Sequence, residues 1–258
     1  MAAYISKEEK KIPINDPTGK WTDMTLLPEW EEEFYNVYTA KKHGKWVMLK
    51  ALKKEYADDP KYQEMLEREF DTRYNLAHAN IVMVNDYELI PDIGMAIITD
   101  DVYGYSLRRL IDEKKLSPMI LRRIETQLVD AIDYMQENHI IHHPITPDKI
   151  IFTEMTENLK LSDVGYEHKS SLTPQDTADE ILAYGKILSE VLDNIPNASP
   201  RLRKIANKCI DPDPKRRYSS FSELYLAIER RSSSQLYVWL IAFICAMVGL
   251  LVWLTLGN

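Results

Sequence analysis

The strongest constraint on this chain is an uncharged apolar run near its C-terminus. Residues 236–256 read LYVWLIAFICAMVGLLVWLTL and contain no Asp, Glu, Lys or Arg. As a helix that rises about 1.5 Å per residue, this run is about 30 Å long, which matches the hydrocarbon core of a bilayer. The run therefore predicts one transmembrane helix over residues 236–256, with a buried core helix as the alternative.

The residues on either side of this run set the predicted orientation. Arg230 and Arg231 flank its N-terminal side, and only Gly257 and Asn258 follow it. Because positive charges stay on the cytoplasmic side of a membrane, residues 1–231 are expected to be cytoplasmic and the helix to be a single-pass C-terminal anchor.

Small residues within the run predict a possible contact between two such helices. Ala242 and Ala246 are four residues apart, as are Cys245 and Gly249. This spacing lets the backbones of two membrane helices approach closely. The pattern indicates possible self-association of the chain through its span.

The part before the run has the composition of one substantial domain or two small lobes. The formal charge of −8 comes entirely from residues 1–231, and an acidic surface argues against nucleic-acid binding. Only two cysteines are present, Cys209 and Cys245, so no disulfide framework is expected. The N-terminus has no apolar run after its charges and is not expected to be a secretory signal peptide.

The residue pattern changes from strands to helices along the chain. Residues 1–25 are polar and contain Pro and Gly, which predicts an extended arm. Two β-rich runs around His43-Gly44 predict a hairpin, and Asp59-Pro60 predicts the start of a helix that ends near His78. Beyond Gly104, apolar residues at helical spacing predict helices over residues 106–113, 118–138, 177–192, 200–210 and 220–230.

Ordered landmarks over residues 26–231 resemble the eukaryotic-type protein kinase family. They are VMLK ending at Lys50, Glu69 and the loop after it, Thr99 as the gatekeeper, DDVYGYSL as the hinge, IIHHPITPDKIIF as the catalytic loop, SDVG with Asp163 and Gly165, and DPDPKRRYSS with Arg217. The resemblance implies an α+β, two-lobed protein-kinase-like fold, with a β-rich N-lobe over residues 26–100 and a helical C-lobe over residues 101–231.

The segment that resembles the family's glycine-rich loop contains no glycine. It reads WEEEFY over residues 30–35. Without glycine, backbone amides cannot approach phosphates closely. Glu31, Glu32 and Glu33 stand where an anionic ligand would lie, and each facing pair of negative charges would cost about 3 kcal/mol at ~5 Å and an effective dielectric constant of ~20. Because side chains alternate along a strand, only some of these glutamates are expected to point inward. The alternative interpretation is that they form a solvated edge strand and have no bearing on ligands.

The segment that resembles the catalytic loop has lost the groups that phosphoryl transfer needs. Pro144 takes the position of the family's catalytic Asp, so no base remains there. Thr146 replaces the loop lysine, and Lys149 takes the position of the metal-binding Asn, where an ammonium cannot coordinate Mg²⁺. The neighbouring His143 is a weak alternative base.

Three residues keep the identity that the resemblance requires. Lys50, Glu69 and Asp163 stand at nucleotide-site positions, which are vestigial in this interpretation. We expect the Lys149 ammonium to pair with Asp163 in place of a metal. The segment after Gly165 is short, with about nineteen residues before Gly185, so the platform for a peptide substrate is expected to be truncated.

These features together predict a membrane-anchored pseudokinase that is not an enzyme and uses no cofactor. It would act as a binding, regulatory or scaffold module for a membrane-associated protein partner. Two alternatives stay open. One is a divergent active Ser/Thr-type kinase that binds ATP and Mg²⁺, and the other is a structural subunit of a membrane protein complex.

Overall fold

The computed structural model describes residues 10–102, 104–141, 145–154, 156–162, 167–229, 241–244 and 247. The chain divides into two compact units, residues 1–176 and residues 177–258. The predicted lobe boundary at residue 100 lies inside the first unit and stays a prediction.

The first unit begins with a six-stranded antiparallel sheet. The spatial order of its strands is β1-β2-β3-β4-β6-β5. The strands are β1 (Lys10–Lys11), β2 (Trp21–Leu26), β3 (Tyr35–Lys42), β4 (Lys45–Leu52), β5 (Val84–Ile90) and β6 (Gly94–Asp100). The hairpin predicted around His43-Gly44 is present between β3 and β4, where both turn residues have positive φ, a conformation that suits Gly44.

Strands β1 and β2 differ from the extended arm predicted over residues 1–25. Trp21 and Met24 of β2 are buried in one core cluster of the sheet, and Ile12 and Ile14 pack against that cluster. Burial of these apolar side chains holds the segment on the sheet although its other residues are polar. The Pro and Gly residues mark the turn between the two strands.

The other face of the sheet packs against helix α1 (Pro60–Tyr74). Asp59 caps the helix by accepting a hydrogen bond from the Lys61 amide, and Pro60 occupies the first turn, as the sequence predicts. Leu66 of α1 is fully buried in a second core cluster with Leu52 of β4. Since side chains alternate along β4, Lys50 lies on this same face of the sheet.

Helices and two small sheets complete the first unit. The helices are α2 (Leu107–Asp112), α3 (Pro118–Arg123) and α4 (Val129–Glu137), and a short π-helix over Ile124–Leu128 joins the last two. The strands are β7 (Gly104–Ser106), β8 (Ile140–Ile141), β9 (Ile150–Thr153), β10 (Leu159–Leu161) and β11 (Glu167–His168). Strand β9 pairs with β7 and β10, and β8 pairs with β11. A 3₁₀ turn over Pro147–Lys149 leads into β9.

The described part of the second unit is mainly helical. Helix α5 (Pro174–Asp193) begins at the boundary between the units and is followed by α6 (Pro200–Cys209) and a helix over residues 221–229. A Cβ atom at Gly185 of α5 would lie 2.4 Å from the Cβ of Cys209, so the close approach of these helices requires glycine. The expected order of a β-rich first part and a helical later part is thereby confirmed.

The predicted transmembrane helix over residues 236–256 lies outside the described residues, apart from positions 241–244 and 247. Among the residues that the structure describes, none of the helices is long and apolar enough to cross a membrane.

Candidate functional site

A cleft in the first unit brings together residues from the sheet, α1 and the 3₁₀ turn before β9. Its apolar lining includes Val37, Leu49, Val82, Val102 and Ile151, and its charged lining includes Glu32, Lys50, Arg73 and Lys149. The cleft has a volume of about 60 Å³. Pockets that hold small-molecule ligands usually measure about 300–1,000 Å³. The described cleft is therefore smaller than the pockets that usually hold such ligands.

Lys50 of β4 contacts the carboxylate of Glu69 of α1 in the interior of the cleft. The Nζ atom lies 3.0 Å from one carboxylate oxygen and 3.2 Å from the other. The side chains are 9% and 3% exposed, so both charges are largely removed from water. Lys50 also lies 4.5 Å from the centre of the Tyr35 ring, which is a cation–π distance. The structure thus brings together two of the three predicted nucleotide-site residues.

Arg73 is a cleft residue that the sequence interpretation missed. It lies one helical turn after Glu69 on α1, and its guanidinium is 2.7 Å from the Glu69 carboxylate. The Arg73 side chain is only 5% exposed. The signal in the sequence was the spacing of four residues, which places Arg73 beside Glu69 on one helix face. Glu69 is thereby held by a cation from the sheet and a cation from its own helix.

Glu32 is the inward-facing member of the glutamate run. Its carboxylate lies 2.9 Å from the Lys50 ammonium and 3.0 Å from the Lys149 ammonium. Glu31 has a different partner, since its carboxylate lies 2.7 Å from Lys53 and its side chain is 48% exposed. One glutamate of the run therefore bridges two cations in the cleft, while its neighbour pairs at the surface.

The backbone and a group of aromatic rings hold Glu32 in this place. A 3₁₀ turn over Pro28–Trp30 precedes the segment, and the Glu32 amide donates to the Tyr35 carbonyl at 3.0 Å. Phe34 packs against Tyr56 and Tyr62, with ring centroids 5.2 and 4.8 Å away. These contacts order the backbone on either side of the Glu32 side chain.

Lys149 stands at the end of the 3₁₀ turn over Pro147–Lys149. Its backbone carbonyl accepts hydrogen bonds from the amide and the hydroxyl of Ser162, at 2.8 and 3.1 Å. These bonds fix the backbone from which the side chain reaches Glu32. The expected partner of Lys149, Asp163, lies outside the described residues, so that pairing stays a prediction.

The contacts join into one series of alternating charges, here called the charged chain: Lys149, Glu32, Lys50, Glu69 and Arg73. Three cations and two carboxylates give it a formal charge of +1. It connects the glutamate run, β4, α1 and the turn before β9. Residues from four separate segments of the sequence are therefore joined by ion pairs.

Of the other predicted site residues, one lies at the cleft and others lie outside the described residues. Thr99 of β6 lies at the cleft, 8% exposed, opposite Met48 of β4. Pro144, His143 and Gly165 lie outside the described residues, as Asp163 does. Among the described residues there is no group of three or more His, Cys, Asp or Glu side chains that could hold a metal ion.

Two features of the described cleft bear on whether an anionic ligand such as a magnesium–nucleotide group can bind. The carboxylate of Glu32 stands between the two ammonium groups that would face phosphates, and like charges repel. The loop beside it has no glycine to bring amides close to a phosphate. In this arrangement Lys50 and Lys149 already have an anionic partner from the chain itself.

Comparisons with known proteins identify the family. The model of the protein kinase domain family matches residues 33–179. A probable serine/threonine-protein kinase of Clostridium acetobutylicum is 28% identical over 144 residues, which cover 55% of this chain and 22% of the relative. Serine/threonine-protein kinase PrkC of Bacillus subtilis is 31% identical with the same coverage. Aurora kinase of Schizosaccharomyces pombe is 28% identical over 54% of this chain and 39% of that protein.

The alignments thus cover well under half the length of each of these relatives. The family match covers strands β3 to β6, α1, the described cleft residues other than Trp30 and Glu32, and the segment up to the start of α5. The chain therefore belongs to the protein kinase domain family.

Proposed function

We propose that this chain is a membrane-anchored pseudokinase that presents a cytoplasmic binding, regulatory or scaffold surface to a protein partner. One observation carries the proposal: the Glu32 carboxylate bridges Lys50 and Lys149 inside the cleft. A cleft whose cations are paired within the chain keeps its arrangement without nucleotide.

The residues at the catalytic positions support the same conclusion. Phosphoryl transfer requires phosphates to be held, charge to be neutralised by metal, and a hydroxyl to be oriented by a base. Pro144 has no group that accepts a proton, and the Lys149 ammonium has no lone pair for Mg²⁺. Within the charged chain, the Lys50–Glu69 pair has a structural role, so its presence does not require catalytic activity.

The membrane anchor and the partner are parts of this proposal that rest on the sequence. The uncharged run over residues 236–256 would insert as one helix and keep residues 1–231 in the cytoplasm. The partner would be a membrane-associated protein, and the span itself offers a route to self-association. Neither a cofactor nor nucleic acid has a role in this proposal.

Two observations favour a second candidate, an active Ser/Thr-type kinase. Lys50 and Glu69 form the ion pair that stands at nucleotide-site positions, and two of the relatives are named as a probable serine/threonine-protein kinase and a serine/threonine-protein kinase. A third candidate, a structural subunit of a membrane complex, predicts stable co-purification with integral membrane proteins after mild detergent extraction.

Thermal unfolding of the full chain in mild detergent separates the first two candidates. A ligand at 100 times its dissociation constant adds about 2.7 kcal/mol to stability. The pseudokinase is expected to show no change in melting temperature with millimolar ATP and Mg²⁺, and no transfer of labelled phosphate to itself or to a generic acceptor protein. A magnesium-dependent rise together with phosphate transfer would establish the active kinase instead.

A further inference from the structure

We propose that the outward side of α6 binds anionic phospholipid headgroups and thereby holds the second unit against the membrane surface. This side, here called the basic face, carries Arg201, Arg203, Lys204 and Lys208. The inference rests on the proposed function, because it takes the run over residues 236–256 as the membrane anchor.

The chain separates its charges along the sequence. Residues 194–231 contain nine Lys and Arg and four Asp and Glu, which give a formal charge of +5. Residues 1–193 contain 23 Lys and Arg and 36 Asp and Glu, which give −13. Such asymmetry indicates a polyanionic partner, a membrane or a nucleic acid, for the basic part. That part is the one next to the predicted span.

Helix α6 places its cations on the side away from the core. The buried side of the helix is apolar and consists of Leu202, Ile205, Ala206 and Cys209. Because a helix has 3.6 residues per turn, positions 201, 204 and 208 form a row on the opposite side, with position 203 beside it. The helix contains no Asp or Glu. Its outward surface is therefore basic along its length.

The partners of these side chains leave the basic face with a net positive charge. Arg203 lies 2.5 Å from Asp193, and Lys208 lies 3.0 Å from Glu223. Both ion pairs are at the surface, where such pairs contribute little to stability and a phosphate can compete for the cation. Lys204 is exposed and has no carboxylate partner among the residues that the structure describes.

Arg201 connects α6 to the part of the chain that precedes the span. Its guanidinium donates hydrogen bonds to the carbonyls of Ala227 and Ile228, near the end of the helix over residues 221–229. Leu236, the first residue of the predicted span, follows Ile228 by eight positions. Eight residues reach at most about 29 Å in any conformation. The end of α6 that carries Arg201 therefore lies close to the predicted membrane surface.

An anionic lipid surface fits the basic face better than a nucleic acid does. An anchored chain keeps the face near headgroups at all times, and headgroup phosphates accept charge-assisted hydrogen bonds from guanidinium and ammonium groups. Each basic side chain near an anionic leaflet raises the affinity for the membrane about fivefold. An extended polynucleotide would also meet the negative charge of residues 1–193, which opposes its binding.

The experiment measures how close the basic face lies to headgroups when the full chain is in lipid vesicles. Asn207, exposed on the same side of α6, is changed to Cys in a Cys245→Ser background and labelled with a fluorescent dye, because Cys209 is buried. A nitroxide on the headgroup of a tracer lipid quenches the dye. We expect strong quenching with equal parts of phosphatidylglycerol and phosphatidylcholine, weak quenching with phosphatidylcholine alone, and a loss of the difference at high salt.

Charge-removing variants test whether α6 itself makes the contact. Arg203→Gln with Lys204→Gln is expected to lower the ratio of headgroup-bound to free dye about tenfold or more, since each charge contributes about fivefold. Lys204→Gln alone, which breaks no ion pair among the described residues, is expected to lower this ratio about fivefold. As the matched control, Lys61→Gln with Arg68→Gln removes two exposed charges from α1 and is expected to leave the ratio unchanged.

The results that overturn the inference differ from those that overturn the proposed function. Equal quenching in the two kinds of vesicle, or equal losses for the α6 and α1 variants, shows that the basic face does not bind anionic lipid. A dye response to a single-stranded polynucleotide, without one to anionic vesicles, assigns the face to nucleic acid and also overturns the inference.

Extraction of the vesicles with alkaline carbonate tests the anchor separately. A chain that stays in the membrane but shows no lipid-dependent quenching contradicts this inference and leaves the proposed anchor intact. A chain that is released, although it shows lipid-dependent quenching before extraction, contradicts the anchor and supports the basic face.

Discussion

The Glu32 carboxylate lies 3.0 Å from the Lys149 ammonium, although 117 residues separate them in the sequence. This contact joins the segment before β3 to the turn before β9, on opposite sides of the cleft. Because the same carboxylate also contacts Lys50, it completes a series of ion pairs that reaches α1. These ion pairs therefore connect both of these segments with β4 and α1.

A double-mutant cycle on Glu32 and Lys149 is expected to show that the two side chains are coupled. Glu32→Gln, Lys149→Met and the double variant should give a coupling energy of about 1 kcal/mol, because both side chains are partly shielded from water. The free energy of unfolding in urea is the measurement. The exposed pair Glu64 and Arg68 is the control and should couple by about 0.3–0.5 kcal/mol. A coupling no larger than this control would contradict the prediction.

Neutralising Glu69 is expected to destabilise the first unit strongly. Glu69→Gln removes the carboxylate shared by two cations whose side chains are less than a tenth exposed, Lys50 and Arg73. Loss of one partner from such a buried network costs about 3–5 kcal/mol in the free energy of unfolding. Glu64→Gln, on the exposed face of the same helix, should change stability by about 0.5 kcal/mol or less. Similar losses for both variants would show that the network does not stabilise the fold.

Asp176 is expected to make stability depend on pH in the acid range. The Thr173 amide, the Lys169 ammonium and the Thr173 hydroxyl donate to its carboxylate and lower its pKa from the ordinary value of 3.8 to about 2. Since the folded pKa is depressed, the stabilisation is fully present above pH 3.8 and is lost as the pH falls towards 2.

Asp176→Asn tests this pH dependence. The native chain should exceed the variant in free energy of unfolding at pH 7, and the difference should shrink between pH 4 and pH 2. Urea unfolding at a series of pH values measures it. A difference that stays constant down to pH 2 would exclude Asp176 as the titrating group.

Cys209 is expected to resist alkylation in the folded protein. Burial raises the pKa of its thiol from 9.0 to about 12, and the side chain is fully buried between helices of the second unit. Three pKa units lower the thiolate fraction about a thousandfold. With Cys245→Ser in place, Cys209 is the only thiol, so mass spectrometry after N-ethylmaleimide treatment should show an unmodified native chain and full modification in urea. Rapid modification without urea would show that this part of the unit opens readily.

Local sequence signals account for much of the fold. Asp59 and Pro60 start α1 because a carboxylate can cap the helix and a proline suits its first turn. His43-Gly44 forms the hairpin turn because glycine adopts positive φ easily. The order of landmarks from Lys50 to Arg217 was enough to indicate the family.

Local sequence signals could not predict the direction of individual side chains or their partners from distant parts of the chain. Three consecutive glutamates look alike in sequence, and only the bend after the 3₁₀ turn shows that Glu32 faces the cleft and Glu31 faces Lys53. Arg73 belongs to the site because it pairs with Glu69, whose carboxylate faces Lys50. The strand that contains Trp21 was missed because two apolar side chains, not the average polarity, hold it on the sheet.

Residue identity alone established which chemical groups this chain has: no glycine over residues 30–35, proline at position 144, lysine at position 149, and an uncharged run near the C-terminus. These facts hold in any conformation. Tertiary structure established which charges meet, because ion pairing acts over a few ångströms and depends on backbone turns that bring distant segments together. The pairing of Lys149 with Glu32 is therefore a property of the fold. It could not be predicted from the positions of these two residues in the sequence.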